Sequence, residues 1–530
     1  MPRTRTTLTD LRPEAFGADV DALAARALGR AAGSQSTEGN DVRLLLDASE
    51  NFPAWLDAIR KAERLVLFEC YIVDDDEIGR EFADALSQRA SDGVQVYVLY
   101  DWLGSFRSRG MWERLRGPNL HVAAFNAPQF GSPLGWITRD HRKMIAIDGK
   151  VGFVSGLCVS GRWLGRPSDN MDAWRDTGVA ILGPAVADLE QAFRQVWRVC
   201  AGPKLPKRLT TPAEAMAKAG ETRVRVIAGQ PSSASTYRLD LLIAALAHER
   251  LWITDAYFVG TAAYVQALRA AARDGVDVRL LVPGASDIPA VSMLSRAGYR
   301  ALLDAGVRVF EWNGSMLHAK TAVADDHWTR IGSTNLNLAS LLGNYELDVA
   351  IENLSFARRM STQFEKDLGN ATEIVLTPRK RVRRAERNIR SEAKPRRSAS
   401  GSAGRFAAGA VSVGSALGAA LTNRRAIGRA EAGMLGKMAI AVLALGVVAA
   451  LWPQVVAWPA AIIAVWVGLA WLSKAVALKR SGEQRGLEDV DERDELVEET
   501  LATDSAEARD ELLGATHDPE RTMISKADLL

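Results

Sequence analysis

Two stretches of this chain carry the same three polar residues at the same spacing: His141-Arg-Lys143-Met-Ile-Ala-Ile-Asp148 and His318-Ala-Lys320-Thr-Ala-Val-Ala-Asp325. Both run into apolar positions of strand character. Along a strand, residues i and i+2 share a face, so His141 projects with Lys143 and His318 with Lys320. Asp148 and Asp325 fall at the opposite parity, where Asp148-Gly149 opens a turn. They belong to the candidate catalytic motifs but read as structural or charge-balancing rather than as direct reactants. An imidazole beside an ammonium suits a phosphodiester. The ammonium holds a non-bridging oxygen and offsets charge that builds in the transition state. The imidazole attacks phosphorus when neutral, or protonates the departing oxygen when charged. One such couple cannot do both jobs at once, whereas two facing couples can.

Downstream of the second motif, Gly332-Ser333-Thr334-Asn335 puts Ser333 and Asn335 on one face as donors for phosphate oxygens. Glu346 follows, matched in the first copy by Asp176. A carboxylate bonded to one ring nitrogen fixes the tautomer and raises the basicity of the other nitrogen. The ordinary reading competes at each position: a surface or satisfied core histidine, a turn residue at Ser333 and Asn335, a surface ion pair at Asp176 and Glu346. Of six histidines, only His141 and His318 are followed by the same Lys and Asp offsets, so function is favoured there. His121, His248, His327 and His517 have no such context.

The elements that must position these groups also repeat. RLVLFECYIV (64–73) reads as a buried strand, EIGREFADALSQRASDG as a helix ending at Gly93, and VQVYVLYD (94–101) as the next strand. RLWITDAYFV (250–259) echoes the first strand. ALRAAARDGVDVRLLVP (267–283) echoes the helix and second strand, and NYELDVAI (344–351) echoes AWRDTGVAI (173–181). Four matches in one order, the motifs included, imply duplication and fusion. The grammar predicts an α/β fold of two similar lobes with mixed, mainly parallel sheets. The expected divisions are a flexible arm over 1–41, a first lobe over 42–201, a Pro- and Lys-rich connector over 202–221 and a second lobe over 222–376. A basic, small-residue linker follows over 377–433, then an apolar hairpin over 434–476 and an acidic tail over 477–530.

The 530-residue length suits two to four such units. A formal net charge of +2 hides a basic run near 379–397 and an acidic tail after Arg480. Cys70, Cys158 and Cys200 have no paired spacing, which argues against a disulfide framework and a zinc site. The N-terminus has no apolar h-region of a secretory signal. MAIAVLALGVVAALW (438–452) and VVAWPAAIIAVWVGLAWL (455–472) approach the roughly 20 residues of a membrane span. The connector WPQVVAWP holds Trp and Pro but no charge. Arg424, Arg425, Arg429 and Lys437 precede the pair, and Lys474, Lys479 and Arg480 follow it. This pattern predicts a transmembrane hairpin with both ends cytoplasmic. The bland alternatives are a buried helical hairpin, or one span with a re-entrant segment. The basic run suits anionic headgroups as well as a solvated linker.

With these motifs in place, the chain resembles the phospholipase D superfamily, and most closely its bacterial cardiolipin synthase branch. The resemblance covers roughly residues 42–376. It rests on the two HxKxxxxD motifs and on stretches such as LLLDASENFPAWLDAIRKAERLVLFECYIV, DGVQVYVLYDWLGS and AWRDTGVAILGPAVADLEQAF. It implies two α/β lobes in pseudo-twofold arrangement with the site between them, and no metal or other cofactor. It implies that His141 forms a phosphohistidine and His318 acts as general acid, then base. Lys143, Lys320, Ser333 and Asn335 would bind phosphate, while Asp176 and Glu346 would orient the histidines. Phosphatidylglycerol or a similar phospholipid would be the substrate, at the inner (cytoplasmic) membrane, with no nucleic acid partner. Two features depart from the family: Ser155-Gly156-Leu157-Cys158 stands where many members have Gly-Gly-x-Asn, and the apolar segments lie at the C-terminus. Competing expectations are hydrolysis to phosphatidic acid, a nuclease, and a catalytically idle membrane scaffold.

Overall fold

A computed structural model describes residues 24–115, 117–128, 138–165, 172–200, 205, 217–376 and 382–384, with single helical positions between 451 and 472. The chain divides into two compact units. One takes 1–128 and 134–447, and the other takes 129–133 and 448–530.

The larger unit holds two sheets of the same strand order. The first is built from β1 (Thr37–Leu46), β2 (Leu65–Cys70), β3 (Gln95–Asp101), β4 (Leu120–Phe125), β6 (Lys143–Ile147), β7 (Val151–Ser155) and β8 (Thr177–Leu182), while the two-residue β5 (Arg139–Asp140) pairs instead with Asn344 and Tyr345. Its order is β4-β3-β2-β6-β7-β8-β1. The second uses β9 (Thr222–Gly229), β10 (Arg250–Thr254), β11 (Asp277–Pro283), β12 (Arg308–Trp312), β13 (Thr321–Ala324), β14 (Trp328–Gly332), β15 (Asn344–Glu352), β16 (Ala371–Leu376) and β17 (Val382–Arg384). There the order is β12-β11-β10-β13-β14-β15-β9, extended beyond β12 by β16 and β17.

The mainly parallel sheets expected from the βαβ grammar are corrected. Among the described residues β2–β3–β4 and β10–β11–β12 are the parallel runs within the two sheets, and the other pairings along each sheet are antiparallel. Each HxKxxxxD strand folds back after a tight turn, and a tight turn joins only antiparallel neighbours. Asp148, at φ 57°, and Gly149, at φ 68°, make that turn after β6; Asp325 and Asp326, both at φ 50°, make it after β13.

The helices follow the sequence signals. Asp76 caps Glu77–Ser91 by accepting from Gly79 N, and Thr261 caps Ala262–Arg273 by accepting from Tyr264 N. Gly93 and Gly275 follow these helices at positive φ, the left-handed region that glycine adopts without penalty. Structure also reaches into the expected N-terminal arm, with residues 24–32 helical and β1 starting at Thr37.

Core residues form layers. Phe52, Trp55, Phe68 and Phe82 pack under the first sheet's outer helices. Leu239, Ile253, Leu268 and Leu280 do the same for the second. Between the sheets lies a shared layer in which Leu67, Val179, Leu189 and Phe193 meet Val226, Leu347, Val349 and Phe356. The sheets also join edge to edge, where Thr37 of β1 pairs with Val224 of β9. This common layer fixes the two motifs relative to each other, because close-packed interiors transmit position with little slack.

In the smaller unit, Leu451, Trp458, Ile462, Val465, Trp466, Leu469 and Leu472 are helical and between 38% and 65% exposed. Most of the hairpin expected over 434–476 lies outside the described residues, as do most of the connector expected over 202–221, the linker expected over 377–433 apart from 382–384, and the tail. Among the described residues no helix is long and apolar enough to cross a membrane.

Candidate active site

Each HxKxxxxD motif is hung on the other half of the chain. His141 lies between β5 and β6, and its backbone N–H donates to Tyr345 O at 2.9 Å. His318 lies just before β13, and its N–H donates to Arg175 O at 2.7 Å. The strands supply matching bridges: Arg139 and Asp140 pair in parallel with Asn344 and Tyr345, and Arg175 bridges Leu317.

The carboxylates are exchanged in the same way. His141 Nδ1 lies 2.9 Å from Glu346 Oε2, and His318 Nδ1 lies 2.8 Å from Asp176 Oδ2. A carboxylate only accepts, so both Nδ1 atoms carry protons and both Nε2 atoms present lone pairs. Burial alone would raise Glu346, but His141, Lys143 and Ser333 hold it below the usual carboxylate range. Burial would likewise raise Asp176, which His318, Lys320 and Trp163 hold low.

The lysines lie beside their own histidines. Lys143 Nζ donates to His141 O and sits 5.1 Å from the Tyr71 ring centroid. Lys320 Nζ donates to His318 O and lies over the edge of the imidazole, 2.8 Å from His318 Nδ1 and 3.1 Å from Nε2. All four side chains are buried, with relative exposures of 9% for His141, 5% for His318, 2% for Lys143 and 1% for Lys320. Burial pushes the His141 imidazole down to about 4 against the pull of Glu346, with Lys143 and Lys320 adding to the drop. Burial and the Lys320 charge push His318 down to about 3 against the pull of Asp176, and Lys143 adds to it. Burial also brings Lys320 down to about 8, opposed by Asp176 and assisted by Lys143. Each ammonium thus acts on the imidazole of the opposite half, as expected of one shared, desolvated site. Near neutrality both imidazoles are unprotonated and Lys320 is mostly charged, a state ready to receive an anion.

Asp148 and Asp325 point elsewhere. Asp148 accepts from the backbone N–H of Glu63, Arg64 and Leu65 at 2.8, 2.8 and 2.7 Å. Asp325 accepts from His248, Glu249 and Arg250 at 3.1, 2.9 and 2.9 Å. Each carboxylate therefore ties the motif's turn to the start of a central parallel strand, β2 or β10. Ser333 Oγ donates to Glu346 Oε2 at 2.5 Å and accepts from Leu347 N at 2.9 Å, so its proton supports the carboxylate. Asn335 is buried, and its Oδ1 has no hydrogen-bond partner among the described residues. In the first half, Cys158 is buried in one cluster with Cys70, whose thiol donates to Ile72 O at 3.1 Å. Burial would raise Cys158, but Cys70 and the charges of Lys143 and Lys320 bring it down to about 7, which sets the thiol in the same electrostatic field.

Sequence reasoning missed the aromatic walls and the arginines behind the site. Tyr71 meets His141 edge to face at 4.8 Å between ring centroids, and Tyr257 meets His318 at 5.8 Å. Trp163 and Trp174 flank His318 at 5.2 and 5.6 Å. The repeat held a signal for the tyrosines, since CYIV stands over AYFV. Arg142, fully buried between the motif's His and Lys, donates to Glu346 O at 3.1 Å, Ala192 O at 2.7 Å, Gln195 Oε1 at 2.9 Å and Gly229 O at 3.0 Å. Arg175 reaches Asp367 at 2.9 Å and Asp47 at 3.2 Å. These two guanidiniums clamp the halves together at the two points where the histidines hang.

Known proteins resemble this chain in sequence and in fold. The family model described as cardiolipin synthase, PLD-like domain, matches residues 242–368, which carry the second motif. Cardiolipin synthase A of Pseudomonas syringae pv. syringae is 33% identical over 369 residues, covering 68% of this chain and 75% of that protein. Cardiolipin synthase 2 of Bacillus anthracis is 33% identical over 342 residues, covering 63% of this chain. The match spans 66% of that Bacillus protein's length. Among solved structures, phosphatidylserine synthase of Haemophilus influenzae aligns with a TM-score of 0.53 at 14% identity, covering 66% of this chain and 91% of that one. That likeness speaks to the fold alone.

Proposed function

The chain belongs to the phospholipase-D-like family of the cardiolipin synthase type, and we propose that it is a phosphatidyltransferase that makes cardiolipin from two molecules of phosphatidylglycerol. His141 Nε2 attacks the phosphorus of the first lipid. The P–O bond to glycerol breaks, and His318, protonated as the phosphodiester arrives, gives its proton to the leaving oxygen. Neutral His318 then takes the proton from a free hydroxyl of the second lipid. That oxygen attacks phosphorus, the N–P bond breaks, and cardiolipin leaves with His141 restored. Lys143 and Lys320 hold the non-bridging oxygens throughout, and Asn335 offers an amide beside them.

The observation that carries this reading is the exchanged pairing of His141 with Glu346 and His318 with Asp176. It gives both imidazoles the tautomer the two roles need. Bound phosphodiester charge offsets the two ammoniums, which raises His318 from its low resting value toward the protonated form. Burial of the four reacting groups favours transfer to an alcohol over hydrolysis, because a closed site keeps water from the intermediate.

In the same proposal, residues 42–201 and 222–376 act as the two lobes, joined by 202–221. Residues 377–433 lead to a membrane hairpin over 434–476, which keeps the lobes at the cytoplasmic face of the inner membrane. The exposed apolar helical positions from Leu451 to Leu472 support burial in lipid. Incubating the purified full-length protein with phosphatidylglycerol in mixed micelles tests the reaction. Cardiolipin with an equivalent of glycerol is the expected product, and His141→Ala and His318→Ala each abolish it. Phosphatidic acid as the sole product would assign hydrolysis instead, and no product from the wild type would leave a scaffold.

A further inference from the structure

The two orienting carboxylates are not supported alike. In one, Glu346 Oε2 receives His141 Nδ1 at 2.9 Å and the Ser333 hydroxyl at 2.5 Å. In the other, Asp176 Oδ2 receives His318 Nδ1 at 2.8 Å and the Trp163 indole Nε1 at 2.9 Å. The strand register explains the difference. Ser155 pairs with Gly178 where Gly332 pairs with Asp348, so the residue after each, Gly156 and Ser333, occupies the equivalent place. Gly156 has no hydroxyl to offer. Nor is there room for one, because a Cβ there would lie 2.2 Å from Asp176 Oδ1. The first half therefore draws its donor from a different element.

That element is the short helix Gly161–Leu164, pinned from outside. Ser160 Oγ donates to Asp74 Oδ2 at 2.6 Å, Gly161 N donates to Asp76 Oδ2 at 2.7 Å, and Arg162 pairs with Asp74 at 2.7 Å. The pins set Trp163, 1% exposed, edge-on to the His318 ring at an interplanar angle of 89°. We propose that Trp163 is a positioning residue, which holds Asp176 against His318 by its indole N–H in the role that Ser333 plays for Glu346 and His141. A consequence is that the two histidines are tuned by different chemistry: a hydroxyl that also accepts from backbone N–H for His141, and a rigid indole for His318. The reading of His318 as the proton-transfer group rests on the proposed function, whereas the hydrogen-bond relay does not.

The relay is tested on the full-length protein carrying 15N-labelled histidine. The titratable groups facing His318 are Asp176, Lys320, Lys143 and Tyr257, and none of them changes in Trp163→Phe, which keeps an aromatic ring at the site and removes the donor. Relieved of that donor, Asp176 Oδ2 takes more of the His318 Nδ1 proton. The His318 Nδ1–H resonance then moves downfield while that of His141 stays in place, and Ser333→Ala gives the reverse pattern. In the lipid assay, kcat of Trp163→Phe falls about tenfold with KM within about twofold, as for a lost alignment in general acid–base catalysis. If the phenylalanine variant does not fold, benzothienylalanine at position 163, an isostere with sulfur in place of N–H, gives the same readings. An unmoved His318 resonance in the folded variant overturns the proposal, whatever the lipid assay shows. Absence of product from the wild type would overturn the phosphatidyltransferase reading and leave the resonance experiment standing.

Discussion

His141 takes its orienting carboxylate from Glu346, 205 positions further along the chain, at 2.9 Å. The reciprocal bond joins His318 to Asp176, 142 positions earlier, at 2.8 Å. Neither motif histidine takes its orienting carboxylate from its own repeat. The duplicated chain thus depends on both copies for the tautomer of each histidine as well as for the number of reacting groups.

Exchange of the carboxylates separates the effects of two otherwise similar substitutions. Glu346→Gln removes the partner of the proposed nucleophile and lowers the first step, measured as single-turnover release of glycerol, on the order of 10²–10⁴-fold. Asp176→Asn disturbs the proton-transfer group and slows both steps. Wild-type glycerol release from Glu346→Gln would detach Glu346 from His141's task.

Lys320 sets the alkaline limit. Burial first, and then Lys143, hold its ammonium down to about 8 against Asp176, so the charge is complete well below that pH and is lost as pH rises through it. Activity therefore declines above about pH 8. Lys320→Arg, which stays charged, has a lower kcat but an alkaline limb displaced upward. A limb unmoved by the arginine would assign the decline to another group.

The motif aspartates govern stability. Asp148→Ala leaves three backbone donors without their acceptor, the Leu65 N–H in a buried position, and costs about 2–3 kcal/mol in urea unfolding. Asp325→Ala costs less, because its partners at His248 and Glu249 are exposed. In both, kcat per folded molecule stays within a few-fold of wild type. A kcat loss as large as that of a histidine variant would show that these carboxylates take part in the chemistry.

Arg175→Met tests the clamp between halves. It leaves buried Asp367 without its bidentate partner, and breaking a buried pair costs roughly 3–5 kcal/mol. His318 N hangs on Arg175 O, so the same change loosens the site. Thermal unfolding and kcat are expected to fall together, and a change in kcat alone would contradict the clamp.

The repeat made much of this architecture legible before any coordinates. Strand-period spacing placed each histidine with its lysine, and the opposite parity set Asp148 and Asp325 apart. What the sequence withheld were relations between distant segments. The one-dimensional pattern leaves open which carboxylate serves which histidine, and the pairing of β5 with β15 and the bridge of Arg175 with Leu317 bring each histidine to the acid of the other copy. The sheet was misread as mainly parallel because the βαβ grammar belongs to the first part of each repeat, and the hairpins after each motif lack an apolar helix to mark them. Trp163 carried no periodic signal, since it lies in a short helix whose place is set by Asp74 and Asp76.

The most direct test of the shared site is a crystal structure of the full-length protein with tungstate or vanadate, oxyanions that mimic a phosphoryl group under attack. One oxyanion bridging the Nε2 atoms of His141 and His318, with Lys143 and Lys320 on its remaining oxygens, is the predicted result. Two oxyanions bound separately, or one held by a single motif with the other histidine out of reach, would contradict the account.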